Sequence, residues 1–170
     1  IWVEANPEKY KFIEEKIKNF DDMFLVKFAA GAYEEMVELN VANNGQSSSI
    51  LDLGTHKENY PDIKYTSKVS VQKMPLDRWI DNNIKNKERY NFLVIDIQGY
   101  ELEALKGMTR QLNFVDFIYS EVNFQDVYKD CAQVNDIDRF LSEFNFYRVG
   151  TLKTKCGWGD AIYAKRFILV

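Results

Sequence analysis

Residues 92–108 read FLVIDIQGYELEALKGM, and this stretch constrains the fold more than any other. Four apolar residues, Phe92 to Ile95, run straight into Asp96. Gly99 follows, and a helical pattern carrying Glu101 and Glu103 begins at once. A short apolar run bounded by turn residues fits a buried strand, here 92–96, and the next pattern fits a helix from about 100 to 108. A strand that ends on an acid beside a helix start is where open α/β sheets place their ligands.

The same alternation recurs along the chain. Ile1 to Val3 reads as a strand ending on Glu4, Asn6 caps a helix, and Pro7 suits its first turn. Tyr10, Ile13, Ile17 and Phe20 carry that helix at helical spacing. Residues 23–30, 35–42 and 69–74 read as strands, 43–49 as a loop, and 76–84 as a helix. Ser49 is a candidate cap for a short helix from Ile50, which Pro61 would stop. Residues 114–122 read as a strand ending near Glu121, and 136–144 as a helix with Ile137, Phe140, Leu141 and Phe144 inward. Two last strands, 146–152 and 161–168, flank the turn-rich 155–160. The expected fold is α/β: a mainly parallel sheet with helices on both faces and an antiparallel hairpin at one edge.

Composition narrows the function. A chain of 170 residues with 46% apolar and 15% aromatic side chains suits a single folded domain. The net charge of −4, with no basic stripe, argues against nucleic acid as the main partner. No apolar run approaches the length of a membrane span. Cys131 and Cys156 form neither a disulfide framework nor a zinc motif, and a reducing, cytoplasmic setting is the simplest expectation. The opening IWVEANPEKY has no charged leader and starts inside a strand, so a fragment truncated at its N-terminus, or one domain of a longer protein, is expected.

Val3, Ile95 and Tyr119-Ser120 each lead into an acid: Glu4, Asp96 and Glu121. A strand-end acid loses hydration unless it gains a partner. Together these three suggest a rim that holds hydroxyls, a cation or a metal, although Asp96 alone also suits a helix-capping role. Glu4 matches the acid that grips ribose hydroxyls in nucleotide folds. Gly157-Trp158-Gly159 follows no strand that opens a helix and reads as a tight loop.

The chain resembles the FkbM family of S-adenosylmethionine-dependent methyltransferases. The residues that carry the resemblance are Val3-Glu4-Ala5-Asn6-Pro7, Ser47-Ser48-Ser49, Pro75-Leu76-Asp77 and Leu93 through Glu101 with Leu105-Lys106-Gly107. Tyr119 through Asn123 and Gly159 through Tyr163 fit the family's later strands. Position 5 is Ala where Pro is more usual. The resemblance implies a Rossmann-like class I methyltransferase sheet, and it implies that the first strand and its glycine-rich turn lie outside this sequence. It also implies S-adenosylmethionine as cofactor, with Glu4 on the ribose, Ala5 and Asn6 lining the pocket, and Ala29-Ala30 beside the adenine.

By the same resemblance Asp96 faces the transferred methyl as base, metal ligand or cofactor-amine contact, and Glu121 joins it as a second acid. Glu101 either complements the helix dipole or faces the site. His56, the single histidine, is a candidate base on the acceptor side, against the commoner reading of an exposed, inert loop residue. A Mg²⁺ site at Asp96 and Glu121 is a lesser alternative, since no His or Cys ligand cluster supports it. Tyr60, Tyr65, Phe124, Tyr128 and Trp158 are candidates for a stacking wall. The expected activity is O-methyl transfer to a hydroxyl, on a sugar, glycan or other small acceptor. The alternatives are a non-catalytic methyltransferase-like module of a larger glycan-modifying or assembly protein, and a nucleotide-cofactor oxidoreductase.

Overall fold

The computed structural model describes residues 1–87 and 90–165. The chain opens with strand β1 (Trp2–Glu4) and helix α1 (Pro7–Ile17). Asn6 starts that helix as predicted: its Oδ1 accepts from the Glu8 amide at 3.0 Å, and Pro7 takes the first turn, where its missing N–H costs nothing. The return strand β2 (Leu25–Lys27) pairs in parallel with β1. Next come β3 (Ala29–Ala30), β4 (Glu35–Ala42), a four-residue helix α2 (His56–Asn59), β5 (Tyr65–Met74) and α3 (Leu76–Asn83). The last part holds β6 (Phe92–Ile95), α4 (Glu101–Lys106), a 3₁₀ turn at Gln111–Asn113, β7 (Phe117–Asn123), α5 (Val134–Ser142), β8 (Phe146–Lys153) and β9 (Trp158–Lys165). The strand predicted to reach residue 168 is observed to Lys165, and its last positions lie outside the described residues.

The α/β class holds, but where one mainly parallel sheet was expected the described strands form three sheets, a parallel pair and two mixed ones. β1 and β2 stand as a pair, β3-β5-β4 form a second sheet, and β6-β7-β9-β8 a third. β4 and β5 run antiparallel, Glu35 opposite Lys73 through to Ala42 opposite Tyr65. The cause is the connection. Only the single turn of α2 lies between them, too little helix for a crossover, so the chain simply doubles back. In the third sheet β6 and β7 are parallel, while β9 runs antiparallel to both β7 and β8, which places the expected hairpin at that edge. The helix expected from Ile50 is instead an irregular segment, and helix begins only at His56.

Leu105, Leu112, Ile118, Val122, Ile137 and Leu141 pack the core where α4 and α5 lie on one face of the third sheet. Each such side chain is fully buried, and each contributes about 1.5–3 kcal/mol in removed apolar surface. The other face is less covered than expected. Phe92, Val94, Phe117, Tyr119 and Ile162 all point that way and remain between 36% and 61% exposed. Among the described residues, β1 and β6 each have a strand partner on one side only.

Candidate functional site

β6 delivers Asp96 at its carboxyl end, and the next four residues reverse the chain into α4. That reversal uses two left-handed residues in succession, Gln98 at φ +59° and Gly99 at φ +96°. Glycine suits the second, where a Cβ would also press to 3.0 Å on the Tyr128 ring. Gln98 is not a glycine, and its strained backbone is held from several sides. Ser49 Oγ donates to the Gln98 carbonyl at 2.7 Å, and the Tyr128 hydroxyl donates to its side-chain oxygen. Its amide nitrogen donates to Asp96 at 2.5 Å and Glu121 at 3.4 Å.

Glu101 explains why the turn closes. Its carboxylate, 1% exposed, accepts from the amides of Ile97 at 3.0 Å and Gly99 at 3.1 Å. Among the described residues, helix α4 has no side-chain cap, from Asp96 or any other; Glu101 faces inward and braces the preceding turn instead. Carboxylate oxygens of Asp96, Glu101 and Glu121 lie within 4.8 Å of one another. Crowding three acids this way disfavours their joint ionisation. Burial pushes Glu101 up to about 7, against the pull of the Ile97 and Gly99 amides. Burial pushes Glu121 up to about 9, helped by the charges of Glu101, Asp96 and Asp160. Asp96 opens onto a cavity, and loss of solvent around its carboxyl, then Asp160, raises it while the Gln98 contact works the other way.

That cavity measures about 1210 Å³ and passes between the open edges of β1 and β6 to the carboxyl ends of their strands. Glu4, Ala5, Asn6, Ala29, Ala30, Asp96, Glu121 and His56 all line it, whereas Glu101 does not. Glu4 Oε1 accepts from the Asn6 amide at 2.7 Å, and among the described residues its second oxygen has no hydrogen bond. Asn6 is 3% exposed, and its side-chain oxygen is held by α1. Ser47 to Ser49 line the cavity too, with Ser47 and Ser49 buried.

His56 reaches the cavity because residues 54–56 are tied to 126–127 by backbone hydrogen bonds of 2.8–3.1 Å. Gly54 is required there, since a Cβ would meet the Asp126 carbonyl at 2.0 Å. His56 is 6% exposed, not the open loop residue that a lone histidine suggests, and burial lowers its pKa. Its Nδ1 is buried without a partner. Of the aromatic wall, Tyr60, Tyr128 and Trp158 line the cavity. Tyr65 instead donates to the Leu51 carbonyl, and Phe124 sits beneath Lys153. Of the Gly157-Trp158-Gly159 read as a tight loop, Gly157 turns at φ +82°, while Trp158 and Gly159 already belong to β9.

The sequence reading missed Gln98, and its position before the turn glycine was the available signal. It also passed over Asp160, whose strand register places it opposite Glu121. Pro75-Leu76-Asp77 proves to be a brace: buried Asp77 accepts from the amides of Arg110 at 2.7 Å and Gln111 at 2.9 Å. Among the described residues no helix is long and apolar enough to cross a membrane.

A family model described as the methyltransferase FkbM domain matches residues 1–148. The chain is also 22% identical over 148 residues to the 2-O-methyltransferase NoeI of Sinorhizobium fredii (strain NBRC 101917 / NGR234). That match covers 83% of this chain but 60% of the relative, so the chain spans less than two thirds of the relative's length. No solved structure matches. The chain belongs to the FkbM methyltransferase family.

Proposed function

We propose that this member of the FkbM methyltransferase family is an S-adenosylmethionine-dependent O-methyltransferase, built on a Rossmann-like sheet and acting on a hydroxyl of a sugar or glycan. The observation that carries the reading is the meeting of Glu4 and Asp96, each just beyond or at the end of an apolar strand, on one cavity with Ala29 and Ala30. The name of the relative adds oxygen as the atom methylated.

The residues present fit the cofactor. Among the described residues, Glu4 has an oxygen without a hydrogen bond for ribose hydroxyls, and the two alanines leave room for a flat base. The acid cluster suits a positively charged group. When bound, S-adenosylmethionine supplies an electrophilic methyl carbon. The protein's part is alignment and proton removal. Asp96 takes the cofactor amine or the acceptor proton. His56, held neutral by burial, is the second candidate base. Glu121 keeps its proton near neutral pH and so donates a hydrogen bond. A divalent cation is a lesser alternative, because Glu101 already binds two backbone amides.

One observation favours a second reading, a non-catalytic methyltransferase-like module. Among the described residues, β1 and β6 both border the cavity with an edge that has no strand partner, so the space beside Glu4 and Asp96 is open where a cofactor would need walls. The family match removes the ground for the oxidoreductase alternative. Calorimetric titration with S-adenosylmethionine and S-adenosylhomocysteine tests the main reading. Micromolar binding is expected, weakened by about 1–3 kcal/mol in Glu4→Ala. No binding of either ligand would overturn it, and unchanged affinity in the variant would remove Glu4 from the ribose.

A further inference from the structure

We infer that the end of the cavity walled by His56, Tyr60 and Trp158 is a subsite for a sugar ring without negative charge. Neutral and amine-bearing glycosides enter it, and uronates are turned away. The inference rests on the methyltransferase reading for the role of the sugar as acceptor, and it adds the charge class of that acceptor.

The wall is aromatic and prearranged. The His56 and Tyr60 rings lie 4.9 Å apart at 42°, with Tyr128 5.5 Å from His56 on another side. Trp158 Nε1 donates to the Tyr60 hydroxyl at 3.4 Å, which sets indole and phenol side by side. Such rings offer apolar faces to the C–H face of a pyranose. The backbone of His56 is hydrogen-bonded, but its ring Nδ1 is buried and has no partner among the described residues. A polar ring left so is an unfilled place for a ligand, since native interiors rarely leave such atoms bare.

Charge decides which sugar. Asp96 and Asp160 line the same cavity, and Glu121, which keeps its proton near neutral pH, sits opposite Asp160 across β7 and β9. The oxygens of all three match ring hydroxyls, and an ammonium group would pair with the Asp96 and Asp160 carboxylates. A carboxylate would meet like charge with nothing to offset it. Among the described residues that line the cavity, Lys9 is the single Lys or Arg, and its Nζ lies beside Gly45 on the serine loop. His56 offers no compensating charge, because burial favours its neutral form.

The single histidine makes the test direct, because ¹³C-histidine labelling of the protein yields one imidazole signal. Methyl glycosides of glucose, galactose and mannose are titrated against that signal, each beside its 2-amino analogue and its uronic acid at neutral pH. At least one neutral glycoside is expected to shift the signal, its amino analogue to bind as well or better, and its uronate to bind at least about tenfold more weakly. Asp160→Asn should narrow that gap. Equal or tighter uronate binding would overturn the inference, as would a gap unchanged in Asp160→Asn or silence from every sugar. Calorimetry with S-adenosylhomocysteine on the same samples separates the two readings. Cofactor binding with a silent histidine sinks the subsite alone, whereas a responding histidine without cofactor binding sinks the methyltransferase.

Discussion

Glu121→Gln should stabilise the protein at neutral pH and flatten its pH dependence. The folded protein holds the Glu121 carboxyl near 9, chiefly through burial and then through Glu101, Asp96 and Asp160, against an ordinary 4.5. Below 4.5 both folded and unfolded chains carry the proton, and this group gives stability no slope. Between 4.5 and about 9 the folded protein keeps a proton that the unfolded chain has released, so stability falls as pH rises. At 1.36 kcal/mol per pH unit, the fall reaches about 3.4 kcal/mol by pH 7 if Glu121 acts alone. Glu101 rises to about 7 beside it, and the two titrate as a pair, so a gain of about 1–3 kcal/mol at pH 7 is the expectation for the variant. Gln keeps the shape and can still accept from Gln98. Urea unfolding of both proteins at pH 4, 7 and 9 measures it, with the gain near zero at pH 4. A variant less stable at pH 7, or one with the same pH slope as the wild type, would refute this account of the acid cluster.

Asp77→Ala should lower stability by about 2–4 kcal/mol, since it strands two amides that Asp77 now satisfies; an unchanged urea midpoint would show the brace to be idle. Gly99→Ala should cost about 1–3 kcal/mol through its left-handed backbone and the Tyr128 ring, read as a lower Tm, and a neutral result would mean that the turn relaxes freely. EDTA should leave methyl transfer unaltered, because Glu101 is engaged by backbone amides. Activity lost to EDTA and restored by Mg²⁺ would make the acid cluster a metal centre instead.

The elements with clear periodicity or caps were legible: α1 from Asn6 and Pro7, β6 from its apolar run, and the hairpin of β8 and β9. Strand direction was not. Nothing in residues 35–42 and 69–74 states that they pair antiparallel; that follows from the shortness of α2, which the sequence hid behind an irregular loop. The apolar run at 92–95 also promised burial on both faces, yet Phe92 and Val94 are exposed, because an apolar side chain does not specify what covers it. At the site, the strand-end acids were visible one at a time. Their convergence was not, because Gln98 and Tyr128, which tie them together, are 30 residues apart. Which of the two readings of His56 would hold, buried or exposed, was not legible, because its burial depends on backbone bonds to Asp126 and Val127, a link no local pattern carries.

The unpaired edge of β6 bears on how the chain behaves in the company of its own kind. Its residues Phe92 to Ile95 are uncharged and strand-forming, and among the described residues no strand pairs with its outer edge. Natural sheets blunt such edges with lysine, proline or a bulge, and β6 has none of these. Its brevity is the remaining guard, since four residues fall short of the six or seven that a stable steric zipper uses. Concentrated or partly unfolded chains would therefore associate first along this strand, and a single lysine at exposed Val94 is the smallest change that would keep them apart.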